Sequence, residues 1–129
     1  MTPRPGSDHV YVVDDDAVLL ALLEATLARS GYGVRAFADA EVAWTQAEQH
    51  PPALWLIDVR MPGLDGVALL KRLRASAAHT PVIMLTGSGR LDRVVEAMAA
   101  GASDYMAKPF SPQDLAQKAQ TWLGPAAAP

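Results

Sequence analysis

The sequence predicts an α/β fold: a single doubly wound domain whose parallel sheet is covered by helices on both faces. Three observations carry this. Five short apolar runs alternate with helix-like stretches of ordinary length, the central runs are continuously apolar, and 129 residues with 50% hydrophobic content suit one core and hardly two. A chain of this size buries roughly two thirds of its unfolded surface, enough for a core without staples. With no Cys, a disulfide framework is excluded outright.

The strands are expected at His9 to Val13, Val34 to Phe37, Ala53 to Ile57, Pro81 to Leu85 and Asp104 to Ala107. Ala17 to Ser30 places Leu19, Leu22, Leu23, Thr26 and Leu27 on one stripe, and Gly31 follows where a helix often ends in a left-handed residue. Asp39 to Gln49, Val67 to Ala75 and Arg93 to Ala100 repeat the pattern, the last closed by Gly101. Pro112 to Leu123 makes a fifth helix, with Pro112 suited to its first turn. The domain thus spans 9–123, flanked by a tail expected to be disordered over 1–8 and a Pro/Ala-rich tail or linker stub over 124–129. There is no internal repeat.

A formal net charge of −3 argues against direct nucleic-acid binding, which draws on clustered Lys and Arg. No apolar run approaches the ~20 residues of a membrane span, and the N-terminus lacks the apolar core of a signal peptide. Together with the missing cysteines, this gives the expectation of a cytoplasmic protein without membrane contact.

The chemistry is concentrated at strand ends. Asp14, Asp15 and Asp16 follow the first strand and Asp58 follows the third. Ligands of open parallel sheets bind outside the carboxyl ends of the strands where strand order reverses, so an order of 2-1-3-4-5 would bring these carboxylates together. Three unit charges about 5 Å apart at an effective dielectric of about 20 repel by roughly 10 kcal/mol in total, comparable to a domain's whole stability. A hard divalent cation such as Mg²⁺ or a nearby ammonium must join them. Lys108, after the fifth strand, can supply the ammonium, and Thr86, at the end of the fourth, a hydroxyl. Such a group can receive a phosphoryl group with Asp58 as nucleophile.

Val12-Val13-Asp14-Asp15-Asp16, Leu56 to Gly66 with Asp58-Val59-Arg60-Met61-Pro62-Gly63-Leu64-Asp65-Gly66, Val82 to Gly87, and Lys108-Pro109-Phe110 together resemble the receiver domain of two-component response regulators. The resemblance runs from Val10 to Leu123. It implies the flavodoxin-like (βα)5 fold with strand order 2-1-3-4-5, which is carried over from the family rather than read from periodicity. It implies phosphoryl transfer to Asp58 from a phosphohistidine on a sensor histidine kinase or histidine phosphotransfer protein. Mg²⁺ would be held by Asp15 directly, Asp14 largely through water, Asp58, and the backbone carbonyl of Arg60. Thr86, the Gly87 N–H and Lys108 would hold the phosphoryl oxygens. Thr86 and Tyr105 would be the switch pair, acting on an output surface made by the fourth helix, fifth strand and fifth helix. Lys108-Pro109 matches a peptide bond that is cis in the family. The resemblance leaves the output partner or effector domain unnamed and allows a phosphorylation-dependent dimer.

Other residues have plainer readings. Asp16 is expected to cap the first helix, and Asp65-Gly66 to form the turn and cap before the third. Gly87-Ser88-Gly89 lacks the third glycine of a dinucleotide loop and follows the wrong strand. His9, His50 and His79 show no metal-ligand spacing, Met98 and Met106 are expected to pack, and Trp55 is expected in the core. Arg60 and Ser88 stand where the family's hydrolytic water approaches. Two rival functions are a phosphohydrolase, which would place a second Asp where Arg60 stands, and an interaction module that has lost a site residue.

Overall fold

The computed structural model describes residues 9–60, 65–76, 79–87 and 91–124. The elements run β1 (His9–Val13), α1 (Ala17–Arg29), β2 (Gly33–Phe37), α2 (Ala40–Gln49), β3 (Leu54–Asp58), α3 (Gly66–Ala75), β4 (Val82–Thr86), α4 (Leu91–Ala99), β5 (Asp104–Ala107) and α5 (Pro112–Leu123). All strand pairings are parallel and the order is β2-β1-β3-β4-β5. Strand order therefore reverses between β1 and β3, and their carboxyl ends open the crevice where such sheets bind ligands.

Every residue of β3 and β4 is buried, and all but Asp58 and Thr86 at their carboxyl ends are apolar, as strands covered on both sides require. The period of two divides them between two cores. Tyr11, Val13, Trp55, Ile57, Val82 and Met84 face α2, α3 and α4, packing with Ala43, Leu70, Leu73 and Ala97. Val10, Val12, Leu54, Leu56, Ile83 and Leu85 face α1 and α5, packing with Leu23, Leu27, Leu115 and Ala119. Trp55 meets Tyr11 edge-on at 5.3 Å, which confirms its core role.

Several boundaries move by a residue, and two of the moves matter. β3 and β4 end on Asp58 and Thr86 rather than before them. The ladder extends because the Val59 N–H donates to the Leu85 carbonyl and the Lys108 N–H to the Thr86 carbonyl. Pro81 stays outside β4, although its carbonyl accepts from Trp55. In α1 the buried stripe is Leu20, Leu23, Thr26 and Leu27, while Leu22 is 45% exposed and Leu19 only partly covered. The helix is apolar nearly all round, so apolar spacing alone did not select the inward face. α4 begins at Leu91, two residues before the expected Arg93. Met106 is buried as expected, but Met98 is 43% exposed on α4.

Caps fix where the helices start. Asp16 accepts from the Val18 and Leu19 N–H groups, Asp39 from Glu41 and Val42, and Asp65 from Ala68. Ser111 and Asp114 form a reciprocal capping box on α5, with Pro112 in its first turn. Gly31 and Gly101 take positive φ just beyond α1 and α4, as helix ends of this kind require. No described helix is long and apolar enough to cross a membrane. Of the expected tails, residues 1–8 and 125–129 lie outside the described residues.

Candidate phosphoryl-accepting site

Two strand ends deliver the three acidic residues to one point. Asp14 and Asp15 follow β1 and Asp58 closes β3, and each contributes a carboxylate oxygen within 4.8 Å of the other two. Asp14 is fully buried and Asp58 nearly so, while Asp15 is exposed. The arrangement is a set of hard oxygen donors half open to solvent. It fits a small divalent cation that keeps several of its waters.

Lys108 reaches this group from the far side of β4. Its Nζ donates to Asp14 Oδ2 at 2.9 Å and lies 3.4 Å from Asp58 Oδ1. The backbone holds the carboxylates as well: the Asp16 N–H donates to Asp14 Oδ1 at 2.9 Å, and the Arg60 N–H to Asp58 Oδ1 at 3.3 Å. Asp16 itself caps α1 and points its carboxylate at the helix N–H groups, as its position before Ala17 predicts.

Electrostatics separate the two partners. Burial and then the Asp14 carboxylate push the Asp58 carboxyl up to about 6, against the opposing pull of Lys108 and the Arg60 N–H. Burial alone would draw Lys108 down, but the hydrogen bond and charge of Asp14, with those of Asp58, hold its ammonium above the usual lysine value. Lys108 therefore remains a cation, while Asp58 is a carboxylate that gains from any further positive charge.

Thr86 is buried at the end of β4, beside Asp58 in the ladder through Leu85. Among the described residues its hydroxyl makes only a long contact, 3.3 Å, to the Gly87 carbonyl. Gly87 is exposed, with nothing within 4 Å of where a Cβ would stand. Arg60 is exposed just beyond Asp58. Tyr105 lies on β5 with 44% exposure, its backbone paired with Met84 in register. The Lys108-Pro109 peptide bond is cis, in agreement with the expectation. The Met61-Pro62-Gly63-Leu64 part of the motif, and Ser88, lie outside the described residues.

The family model for the response regulator receiver domain matches residues 10–120. The chain belongs to this family. The receiver domain is 41% identical over 107 residues to the transcriptional regulatory protein FixJ of Bradyrhizobium diazoefficiens, covering 83% of this chain and 52% of that protein. It is also 41% identical over 106 residues to the alkaline phosphatase synthesis transcriptional regulatory protein PhoP of Bacillus subtilis, covering 82% and 44%. It thus spans about half the length of these relatives. Among solved structures, the receiver domain of NtrX from Brucella abortus superposes with a TM-score of 0.84 at 32% identity, covering 88% of this chain and 97% of that one. A putative response regulator from Chloroflexus aurantiacus gives 0.85 at 37% identity, covering 90% and 97%.

Two residues of this receiver escaped the reading of its sequence. Gly66 opens α3 so close to β3 that a Cβ there would fall 2.0 Å from the Asp58 carbonyl oxygen, and its N–H donates to the Val59 carbonyl. The Asp65-Gly66 pair had been legible as a turn and cap, but the close approach depends on how α3 lands on the sheet. Arg93 of α4 lies 3.5 Å from the Asp65 cap and 2.6 Å from Glu96, tying α4 to the start of α3. Nothing in the local sequence around Arg93 indicates a partner nearly thirty residues earlier.

Proposed function

We propose that this receiver domain accepts a phosphoryl group on Asp58 from a phosphohistidine of a sensor histidine kinase or histidine phosphotransfer protein, with Mg²⁺, and relays the change through its α4-β5-α5 surface. The observation that carries the reading is the convergence of the Asp14, Asp15 and Asp58 carboxylates within 4.8 Å, with the Lys108 ammonium against two of them. A surface patch of acids would not bury Asp14 and Asp58 beside a lysine, because burying like charges is costly unless they serve a bound cation or anion.

An oxygen of the Asp58 carboxylate attacks phosphorus, the P–N bond to the donor imidazole breaks, and the released nitrogen keeps the electron pair and takes a proton. Mg²⁺, when bound, neutralises the carboxylates and the phosphoryl oxygens; Asp14, Asp15, Asp58 and the Arg60 carbonyl would hold it. Lys108 pairs with a phosphoryl oxygen in place of part of its contact with Asp58. The Thr86 hydroxyl, with no strong partner among the described residues, and the Gly87 N–H supply the remaining donors.

Movement of Thr86 toward the phosphoryl group frees space that Tyr105, now exposed, turns to fill. The coupling is of the order of 1–3 kcal/mol, enough to alter partner affinity severalfold to a hundredfold. The output partner is a further protein, an effector domain joined to the chain, or a second copy in a phosphorylation-dependent dimer. The protein works in the cytoplasm, catalysing its own phosphorylation and slow dephosphorylation without turning over an outside substrate.

Beryllofluoride with Mg²⁺, followed by near-UV circular dichroism and NMR, tests this. Wild type is expected to bind with shifts at Thr86 and Tyr105, and Asp58→Asn to give none. Multiple turnover of phosphate esters would favour the hydrolase instead.

A further inference from the structure

At the opposite end of the strands from the carboxylates, a groove of about 340 Å³ lies between α2 and α3. Trp44, Pro51, Pro52, Trp55 and Leu73 form its apolar walls, with Glu48 at its rim. Trp44 is only partly covered, and Arg72, paired with Glu41 at 3.0 Å, stacks over it at 5.2 Å and holds its ring in place. Glu48 is exposed and has no salt bridge among the described residues, although its charge acts on Arg72 beside it. Tryptophan and proline walls with one acidic rim residue suit a proline-rich segment carrying a cation, because such segments present preformed, low-entropy polyproline II ridges to aromatic-lined grooves.

The chain has such a segment in the right place. Pro3-Arg4-Pro5 precedes β1, which starts at His9 at the same end of the sheet as the groove. Val10 pairs with Leu54 of β3, just after Pro51 and Pro52, so the groove begins one strand away, at the usual spacing of about 4.8 Å. Extended backbone spans about 13 Å between Pro5 and His9, ample to reach it. The C-terminal Pro125 to Pro129 segment is less suited. It carries no cation, and it leaves α5 on the other face of the sheet, where Tyr32 binds the Gly124 carbonyl at 2.9 Å.

We propose that this groove is the docking site of the chain's own Pro3-Arg4-Pro5 segment, with the prolines against Trp44 and Pro51, above the buried Trp55, and Arg4 paired with Glu48. The docking lies at the end of the sheet away from the acidic site and is independent of its phosphoryl chemistry.

The absence of Cys allows a nitroxide to be placed at one position, Thr2→Cys, in the full chain. The relaxation enhancement it causes is read on the three indole N–H signals by NMR. The Trp44 and Trp55 signals are expected to broaden at least about threefold more than that of Trp122, which lies on the other face of the sheet. Arg4→Glu is expected to abolish the difference, and Arg4→Glu with Glu48→Arg to restore it. Both positions are polar, and the amide spectrum of the described residues checks that the fold is kept. Equal broadening of all three indoles would overturn the proposal. So would broadening that passes from a spin-labelled chain to a separate isotope-labelled one, which would mean that a second copy fills the groove.

Discussion

Lys108 Nζ and Asp14 Oδ2 stand 2.9 Å apart although 94 residues separate them in the chain. The pair ties the end of β5 to the end of β1 across two intervening strands, with Asp58 under the bridge. Removing the ammonium leaves a fully buried carboxylate beside a second one. Lys108→Met is therefore expected to cost about 3 kcal/mol near neutral pH, the usual effect of breaking one side of a buried pair. The loss should be smaller near pH 4.5, where Asp58 is protonated. Thermal unfolding at the two pH values measures it.

Asp58 gives the opposite sign. Its folded carboxyl titrates at about 6, above its unfolded value, so without metal the stability it contributes is full below the unfolded value and is lost as pH rises through 6. Asp58→Asn is never charged and escapes that loss. The variant is expected to be more stable than wild type by of the order of 2 kcal/mol near pH 7.5 without Mg²⁺, and no more stable near pH 4.5. Denaturant titration across this range, in the presence of a chelator, decides it.

Mg²⁺ should remove the same penalty from wild type. Millimolar Mg²⁺ is expected to raise the Tm near neutral pH, and to raise it much less for Asp14→Asn or Asp15→Asn, since binding to the folded state alone stabilises by mass action. Calorimetry with and without the ion is the check. An equal rise in all three proteins would place the ion elsewhere.

Gly66→Ala tests the close approach of α3 to Asp58. A Cβ 2.0 Å from a backbone oxygen cannot be accommodated by a side-chain shift, so α3 or the end of β3 must move. The variant is expected to lose about 2–3 kcal/mol, as overpacked sites do, and to bind beryllofluoride at least tenfold more weakly. Unchanged binding would mean that Asp58 is not held by this contact.

Asp104 accepts hydrogen bonds from Lys118, Trp122 and the Tyr105 N–H at the start of β5. Burial alone would raise its carboxyl, but these bonds outweigh it and hold the group below the ordinary value. Its contribution is thus present at neutral pH and lost on acidification below the ordinary carboxylate range. Asp104→Asn is expected to cost about 1 kcal/mol at neutral pH and to shift the Trp122 emission.

The alternation of apolar runs and helix-length stretches was enough to read five βα units, because both faces of a parallel sheet must be covered. Asp16 and Asp65 were legible as caps, and Pro112 as a first-turn residue, from local chemistry alone. The gathering of Asp14, Asp58, Thr86 and Lys108 was legible only with the strand order, which came from the family motifs rather than from any local pattern. The inward face of α1 was legible in part: Leu23, Thr26 and Leu27 are buried as expected, but Leu20 is buried where Leu19 and Leu22 were expected, because a helix rich in leucine on several sides does not declare which of them lies against β1. Gly66 and Arg93 act through contacts between elements, which depend on how α3 and α4 settle on the sheet.

The most direct test of a phosphoryl-accepting Asp58 is the intact and peptide mass of the protein after incubation with acetyl phosphate and Mg²⁺. One phosphoryl group on the peptide containing Asp58, absent from Asp58→Asn and from samples with chelator, is the predicted result. An unmodified wild type, or a phosphoryl group that persists in Asp58→Asn, would contradict it.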